Sequence, residues 1–125
     1  MKMIQHIDTA HGLSRVVIHN GVAWFTGHSA RPGFDTLAEQ TQAVVDRYEE
    51  LFAQFGLKKQ NILMFNAYVA DISKVDEFNQ VFYPWLEKDG CAAAGVCVEA
   101  KPAGENNLLE LQLIVAIDED AKAEG

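Results

Sequence analysis

The sequence predicts a single α+β domain in which one mixed β-sheet carries two helices on the same face. Short apolar runs that suit strands alternate with two longer stretches whose apolar residues recur at intervals of three and four. The pair Asn20-Gly21 separates two of the apolar runs, which is a strong signal for a tight hairpin. The length of 125 residues suits one domain, residues 1–125, with its own core.

The first half of the chain predicts a β-hairpin followed by an amphipathic helix. Residues 16–19 and 22–26 are apolar runs on either side of the Asn-Gly pair. Thr36 followed by Glu39 has the spacing of a capping box, so a helix is expected to begin there and to end at Gly56. The predicted buried stripe of this helix consists of Leu37, Thr41, Val44, Tyr48, Leu51 and Phe55.

The second half of the chain predicts a strand, a second helix and a final strand pair. Residues 61–70 suit a strand, and a helix is expected from Ser73. Pro84 is expected to kink that helix or to end it early, because proline removes an internal hydrogen bond. Residues 3–8 are a candidate for one more strand, and the acidic tail from Asp118 is expected to be frayed. The inner face of the second helix is predicted to comprise Val75, Phe78, Phe82 and either Trp85 or Leu86.

The final strand pair is expected to place a thiol opposite a carboxylate. Residues 91–100 and 108–117 are predicted to form a hairpin around the turn at residues 101–106. Symmetric pairing would put Cys97 and Glu110 on one face of the sheet. The other members of the two faces are Glu99 and Gln112 on the polar side, and Val96, Val98, Leu109, Leu111 and Leu113 on the core side. A partly polar face on such apolar strands is a candidate functional site.

The sheet face that carries no helix is expected to be too apolar for water alone. It is predicted to include Met64, Tyr68, Cys97 and Ile114. An exposed apolar surface of this kind marks an interaction site, and association with other copies of the chain is the natural expectation.

The charge balance argues against nucleic acids and membranes as partners. The formal net charge is -8, the sequence pI is near 4.8, and no basic run offsets the acidic residues. No stretch approaches the 18 or so apolar residues that a membrane span needs.

Neither a disulfide nor a cofactor is expected. Cys91 and Cys97 lie on one predicted strand, about 20 Å apart in extended geometry, so both are expected to be reduced thiols, as in the cytoplasm. The four histidines show no spacing typical of metal ligands, and no glycine-rich nucleotide motif is present. The histidines are His6, His11, His19 and His28.

Several short segments, in order along nearly the whole chain, resemble the RidA/YjgF family of enamine/imine deaminases. They are Thr26-Gly27, the helix from Thr36, Asp76-Glu77-Phe78-Asn79, Cys97-Val98-Glu99 and Leu109-Glu110-Leu111. The resemblance implies a chorismate-mutase-like fold assembled as a homotrimer. It also implies clefts between subunits that bind small carboxylates and hydrolyse reactive imines to 2-keto acids and ammonia.

The resemblance also implies roles for individual residues. Glu110 would orient or activate water, and Cys97 would line the pocket largely through its backbone. Gly27 would sit at the strand end beside the ligand, and Asn79 would lie at the rim of the cleft. We further expect backbone groups around Val96, Cys97 and Gly27 to polarise the substrate.

The chain departs from the family pattern at a position that matters for substrate binding. The family has an arginine two residues before the cysteine, where it clamps the substrate carboxylate; that residue here is Gly95. Leu13 replaces a frequent aromatic residue, and Ala93 replaces a proline. Loss of a charge-assisted clamp should weaken binding roughly tenfold to several hundredfold, which disfavours substrates of the 2-aminoacrylate type. The vacated volume would suit a bulkier or less anionic ligand.

Several alternatives remain open at the level of sequence. Arg31 is either a solvated loop arginine or, like His28 and Arg15, a candidate to replace the missing clamp. Cys97 taken alone would most often be a small buried hydrophobe, and Glu110 could equally form an ion pair across a subunit interface. The rivals to the enzyme are a trimer that binds or senses a small metabolite without turnover, and a trimeric partner protein whose cleft is occluded.

Overall fold

The computed structural model describes residues 3–118, and it confirms the predicted α+β architecture. Its six strands are β1 (Gln5–Ile7), β2 (Val16–His19), β3 (Val22–Phe25), β4 (Ile62–Val69), β5 (Ala94–Glu99) and β6 (Leu109–Ala116). Its two α-helices are α1 (Leu37–Phe55) and α2 (Val75–Glu87). The strand order is β1-β2-β3-β6-β4-β5; β4 and β5 are parallel and all other neighbours are antiparallel. Of the acidic tail, Asp118 lies within the described residues, where it pairs with Lys58 at 2.8 Å; residues 119–125 lie outside them.

The early hairpin and the first helix agree with the sequence prediction. Asn20 and Gly21 both have positive φ, at 52° and 76°, as a two-residue hairpin turn requires. Thr36 and Glu39 form the reciprocal hydrogen bonds of a capping box, and Gly56 ends α1 in the left-handed conformation. The predicted stripe of α1 is buried except for Phe55, which is half-buried.

The second helix begins later and ends later than the sequence predicts. A short 3₁₀ turn, Ile72–Lys74, precedes α2, so the helix begins at Val75 and not at Ser73. Pro84 lies inside α2 without ending it. Beyond Pro84, the buried ammonium group of Lys59 donates to the carbonyl of Trp85 and pairs with Asp89 at 3.1 Å. That donor satisfies one of the carbonyl groups that a helix end leaves without a partner.

The expected hairpin between the last two strands is wrong, because β4 lies between β5 and β6. Ala67 of β4 pairs with Cys97 on one side and Leu111 on the other, whereas Tyr68 pairs with Val98 and Glu110. The turn signals in residues 101–106 belong to a longer connection that passes the end of β4. The apolar run of β4 suits this central position, since it packs between two partners.

The sheet register therefore separates residues that the predicted hairpin would have brought together. Side chains of directly paired residues share a face of the sheet. Cys97 therefore faces the helices together with Leu111, whereas Glu110 and Val98 lie on the opposite face, which no helix covers. Val96 and Val98, expected in the core, are 47% and 43% exposed. The prediction that Cys97 and Glu110 share one face is thus wrong.

The core lies between the two helices and one face of the sheet, and the other face remains open. The buried cluster draws Phe25, Leu113 and Ala67 from the sheet, and Tyr48 and Phe78 from the helices. The open face carries large apolar side chains that are about half exposed: Trp24, Val96 and Val98. Within residues 3–118, neither helix combines the length and apolar character that crossing a membrane requires.

Candidate functional site

Glu110 and Gly27 lie against each other, which links two of the residues that the sequence marked. A Cβ atom at position 27 would overlap the carboxyl group of Glu110. Glycine is therefore the residue that lets this carboxyl group approach the backbone of the β3–α1 connection. Glu110 is half-buried and lies beside Tyr68 on the open face of the sheet. The Glu110 carboxylate thus lies against the backbone at Gly27, and this arrangement is suited to binding water or a polar ligand.

An irregularity in strand pairing creates this contact. Trp24 of β3 pairs with Ile114 of β6, and the next pair along β6 joins His28 with Leu111. Three residues separate the paired positions on the β3 side but only two on the β6 side, as in a β-bulge. The extra residue turns the His28 ring toward the core and leaves Gly27 against Glu110.

A buried polar network lies behind Gly27 and Glu110. The Tyr48 hydroxyl donates to the carbonyl oxygen of Leu111 at 2.8 Å and lies 3.3 Å from that of Thr26. His28 Nδ1 is 2.9 Å from the Thr26 carbonyl, which can only accept, so Nδ1 carries the proton. Nε2 of His28 is then free to accept from Arg15 Nη1 at 3.3 Å.

Burial determines the ionisation of this network. It lowers the pKa of His28, and the nearby Arg15 and Arg47 charges lower it further against the opposing effect of the Thr26 bond. Burial also raises the pKa of Tyr48 well above its ordinary value. Both side chains are therefore neutral at neutral pH and act as hydrogen-bonding groups. No sequence pattern indicates the polar role of Tyr48, since its spacing on α1 predicts only that it is buried in the core.

A second polar pair shares the open face with Glu110. Asn66 Nδ2 donates to Gln112 Oε1 at 3.1 Å, and Gln112 Nε2 donates to the Phe25 carbonyl at 3.2 Å. Gln112 was predicted on the polar face, whereas Asn66 was not singled out. The side-chain amides of Asn66 and Gln112 thus enlarge the polar area beside Glu110 on a sheet face that is otherwise apolar.

Cys97 and Gly95 lie on the edge strand, away from Glu110. Burial raises the pKa of the Cys97 thiol, which therefore remains protonated at neutral pH and lacks the thiolate character of a nucleophile. Val96, between them, faces the open side. Asn79 is half-buried on α2.

The space beside Gly95 is filled. A Cβ atom at position 95 would overlap the ring of Phe65, which is 5% exposed and packs against Phe82 with ring centroids 4.8 Å apart. The expectation that Gly95 vacates volume for a bulkier ligand is therefore wrong, because an aromatic ring occupies it.

Arg31 lies in a groove along α1, and this groove is lined by neither Glu110 nor Gly95. The groove measures about 890 Å³ and receives all three arginines of the chain, Arg15, Arg31 and Arg47. It is also lined by three carboxylates: Glu39, Asp46 and Glu50. The opposite charges cancel, so the groove has no net charge that would favour an anion.

Gln40 joins the β3–α1 connection to the β5–β6 connection by hydrogen bonds. Its side chain is buried; the amide nitrogen donates to the carbonyls of Phe34 and Asn106, and the amide oxygen accepts from the Leu108 N–H at 2.9 Å. Gln40 is absent from the predicted buried stripe, although its position between Leu37 and Val44 lies on the inner side of α1.

The described part of the chain contains no cluster of metal ligands. Across residues 3–118, no group of three or more His, Cys, Asp or Glu side chains is placed to hold a metal ion.

Comparisons with known proteins extend over nearly the whole chain. A model of the family described as Endoribonuclease L-PSP matches residues 3–117. A RutC family protein of Haemophilus influenzae is 32% identical over 112 residues, covering 89% of this chain and 96% of that protein. A RutC family protein of Haemophilus ducreyi is 29% identical over 116 residues, with coverages of 93% and 98%. The crystal structure of a YjgF family member from Neisseria meningitidis has a TM-score of 0.85 at 27% identity and covers 94% of this chain and 97% of its own.

Proposed function

The chain belongs to the Endoribonuclease L-PSP family, which includes the YjgF/RidA proteins, and on that premise we propose that it hydrolyses a C=N bond of a small imine or enamine. The observation that carries the proposal is the contact between the Glu110 carboxyl group and Gly27. A carboxylate held against backbone groups on a partly polar surface suits the positioning of a water molecule.

The chemistry asks little of the protein beyond positioning and proton transfer. An enamine first tautomerises to the imine, with a proton moving from nitrogen to carbon. Water then adds to the carbon of the C=N bond while Glu110 takes one of its protons, and that proton passes to the nitrogen. The hydroxyl proton of this adduct then passes to the amino nitrogen while the C–N bond breaks, so that ammonia leaves and a C=O bond remains. No oxidant, reductant or cofactor enters this balance.

The proposed site requires two copies of the chain. Cys97 and Glu110 face opposite sides of one sheet, and β4 separates their strands by about 9–10 Å in total. A cleft that uses the backbone near Val96 and Cys97 together with Glu110 therefore needs β5 of one subunit beside Glu110 and Gly27 of another. The half-exposed apolar side chains of the open face support assembly into a homotrimer. Asn79 is proposed at the rim of the cleft.

The environment of Gly95 favours a substrate that is less anionic than a simple 2-imino acid. The position offers no cation, and the Phe65 ring fills the adjacent space. Arg31 is the remaining candidate for a replacement clamp in the assembled protein, although its charge is shared with three nearby carboxylates. We therefore place 2-aminoacrylate-type compounds below neutral imines in expected preference.

RNA cleavage, which the family's description names, has less physical support in this chain. The net charge of -8 opposes binding of a polyphosphate backbone. The groove that gathers the three arginines is neutralised by Glu39, Asp46 and Glu50.

A second candidate function is metabolite binding without turnover. The observation that favours it is the same one that weakens the deaminase: Gly95 offers no cation to a substrate carboxylate, and the Phe65 ring fills the space beside it. A cleft of this kind could still hold a small ligand through backbone groups and Glu110.

An assay of ammonia and keto-acid release separates the two functions. Imines are generated in situ by an amino-acid oxidase from neutral and acidic amino acids, and turnover is compared between the native protein, Glu110→Gln and the control Glu105→Gln, whose residue is exposed. Turnover that is lost in Glu110→Gln and kept in Glu105→Gln supports the enzyme. Saturable binding of keto acids without turnover supports the binding protein.

A further inference from the structure

We propose that Tyr48 and His28 are positioning residues for the Glu110 site, acting from the core side of the sheet on the backbone that carries Glu110 and Gly27. This inference rests on the proposed function for its kinetic consequence, but its geometric content can be measured without turnover.

The two side chains bond the residues that flank the site. The Tyr48 hydroxyl donates to the carbonyl of Leu111, which directly follows Glu110, and His28 Nδ1 donates to the carbonyl of Thr26, which directly precedes Gly27. The backbone of His28 exchanges both N–H···O bonds with Leu111, each 2.9 Å long. The β3–α1 connection and β6 are thus joined at the level of the Glu110–Gly27 contact.

The network is needed because the bulge leaves this region with irregular pairing. Between the Trp24–Ile114 pair and the His28–Leu111 pair, the regular ladder is interrupted, so ladder bonds alone do not fix the position of Gly27. Tyr48 is fully buried and is held among the rings of Phe25, Phe52 and His28. The rigid side chain of Tyr48 therefore places a hydroxyl group from α1 at the position where the strand pairing is interrupted.

His28 is itself held in the required tautomer. Arg15 donates to Nε2, which leaves the proton on Nδ1 facing Thr26, and Asp8 holds Arg15 at 3.1 Å. Catalysis is sensitive to small displacements, and a shift of about 1 Å can cost a hundredfold in rate. Loosening this network should therefore lower kcat more than it changes KM.

The test uses Tyr48→Phe, which removes one hydroxyl and keeps the ring. The control is Thr41→Val, which removes an equally buried hydroxyl of α1 that bonds only the Leu37 carbonyl within its own helix. We expect Tyr48→Phe to reduce kcat by roughly tenfold to a hundredfold with little change in KM, and to shift the NMR signals of the Gly27 amide and the Glu110 carboxyl group. Thr41→Val should move neither signal.

A pair of substitutions at His28 provides the second arm. His28→Asn keeps a donor near the position of Nδ1, so the Gly27 and Glu110 signals should stay close to their native positions. His28→Leu removes the donor and should shift both signals. The proposal is overturned if Tyr48→Phe moves the Gly27 and Glu110 signals no further than Thr41→Val does. If the native protein hydrolyses no imine, the proposed function fails while these spectra still decide the positioning role.

Discussion

The aromatic ring of Phe65 lies where a side chain at Gly95 would project. Glycine on this edge strand is thus required by packing. Phe65 packs against Phe82 and Tyr83 of α2, so its ring has little room to retreat.

Introducing even a methyl group at this position should destabilise the protein. Gly95→Ala is expected to lower the free energy of unfolding by about 1–3 kcal/mol, the range typical of overpacking. Chemical denaturation measures the loss. Combining Gly95→Ala with Phe65→Leu should recover part of it, and strictly additive losses in the double variant would show that the two residues do not compete for space.

The buried Lys59 should contribute measurably to stability through the end of α2. Lys59→Met is expected to cost roughly 1–3 kcal/mol, because it leaves the Trp85 carbonyl without its donor. The neighbouring Lys58 forms an exposed ion pair with Asp118, so Lys58→Met should cost under about 1 kcal/mol. Equal losses in the two variants, measured by urea denaturation, would contradict the role assigned to Lys59.

The neutral state of His28 predicts a loss of stability in weak acid. Its pKa is lowered from 6.5 in the folded protein, so the unfolded chain binds more protons as the pH falls below about that value. The resulting stability is present above this pH and is lost as the pH falls through the lowered pKa. Protonated Nε2 would also face Arg15, with Arg47 nearby.

Denaturation curves at pH 7 and pH 5.5 check this prediction. The native protein should lose more free energy of unfolding between the two pH values than His28→Asn does. Carboxylates whose pKa values are lowered, such as Asp118 and Asp71, contribute at lower pH and should affect both proteins alike. An identical pH dependence in the two proteins would rule out His28 as its source.

The sequence predicted the local elements well because their signals are local. The Asn20-Gly21 turn, the capping box at Thr36 and the end of α1 at Gly56 each depend on a few adjacent residues. The pairing of β5 and β6 failed because a chain segment distant in sequence, β4, inserts between them. Turn residues near Gly104 indicate a change of direction, but they do not say how many strands the connection passes.

The site was predicted in part, for the same reason. Glu110 and Gly27 were singled out, and they do lie together, but the prediction paired Glu110 with Cys97 instead. Tyr48 and Gln40 were missed because a helical periodicity reports burial and not the partner of a buried polar atom. The bulge before His28 depends on a register that no local pattern reveals.

The central claim is that one site uses β5 of one subunit and Glu110 of another. The most direct test mixes two variants that are each inactive, Glu110→Gln and Val96→Trp, in reassembled or co-expressed oligomers. With a shared site, a mixed oligomer contains some clefts with two native halves, so imine hydrolysis should return to roughly a quarter of the native rate per subunit at equal mixing. If native mass spectrometry shows mixed oligomers and no turnover returns, the two halves do not meet across a subunit interface.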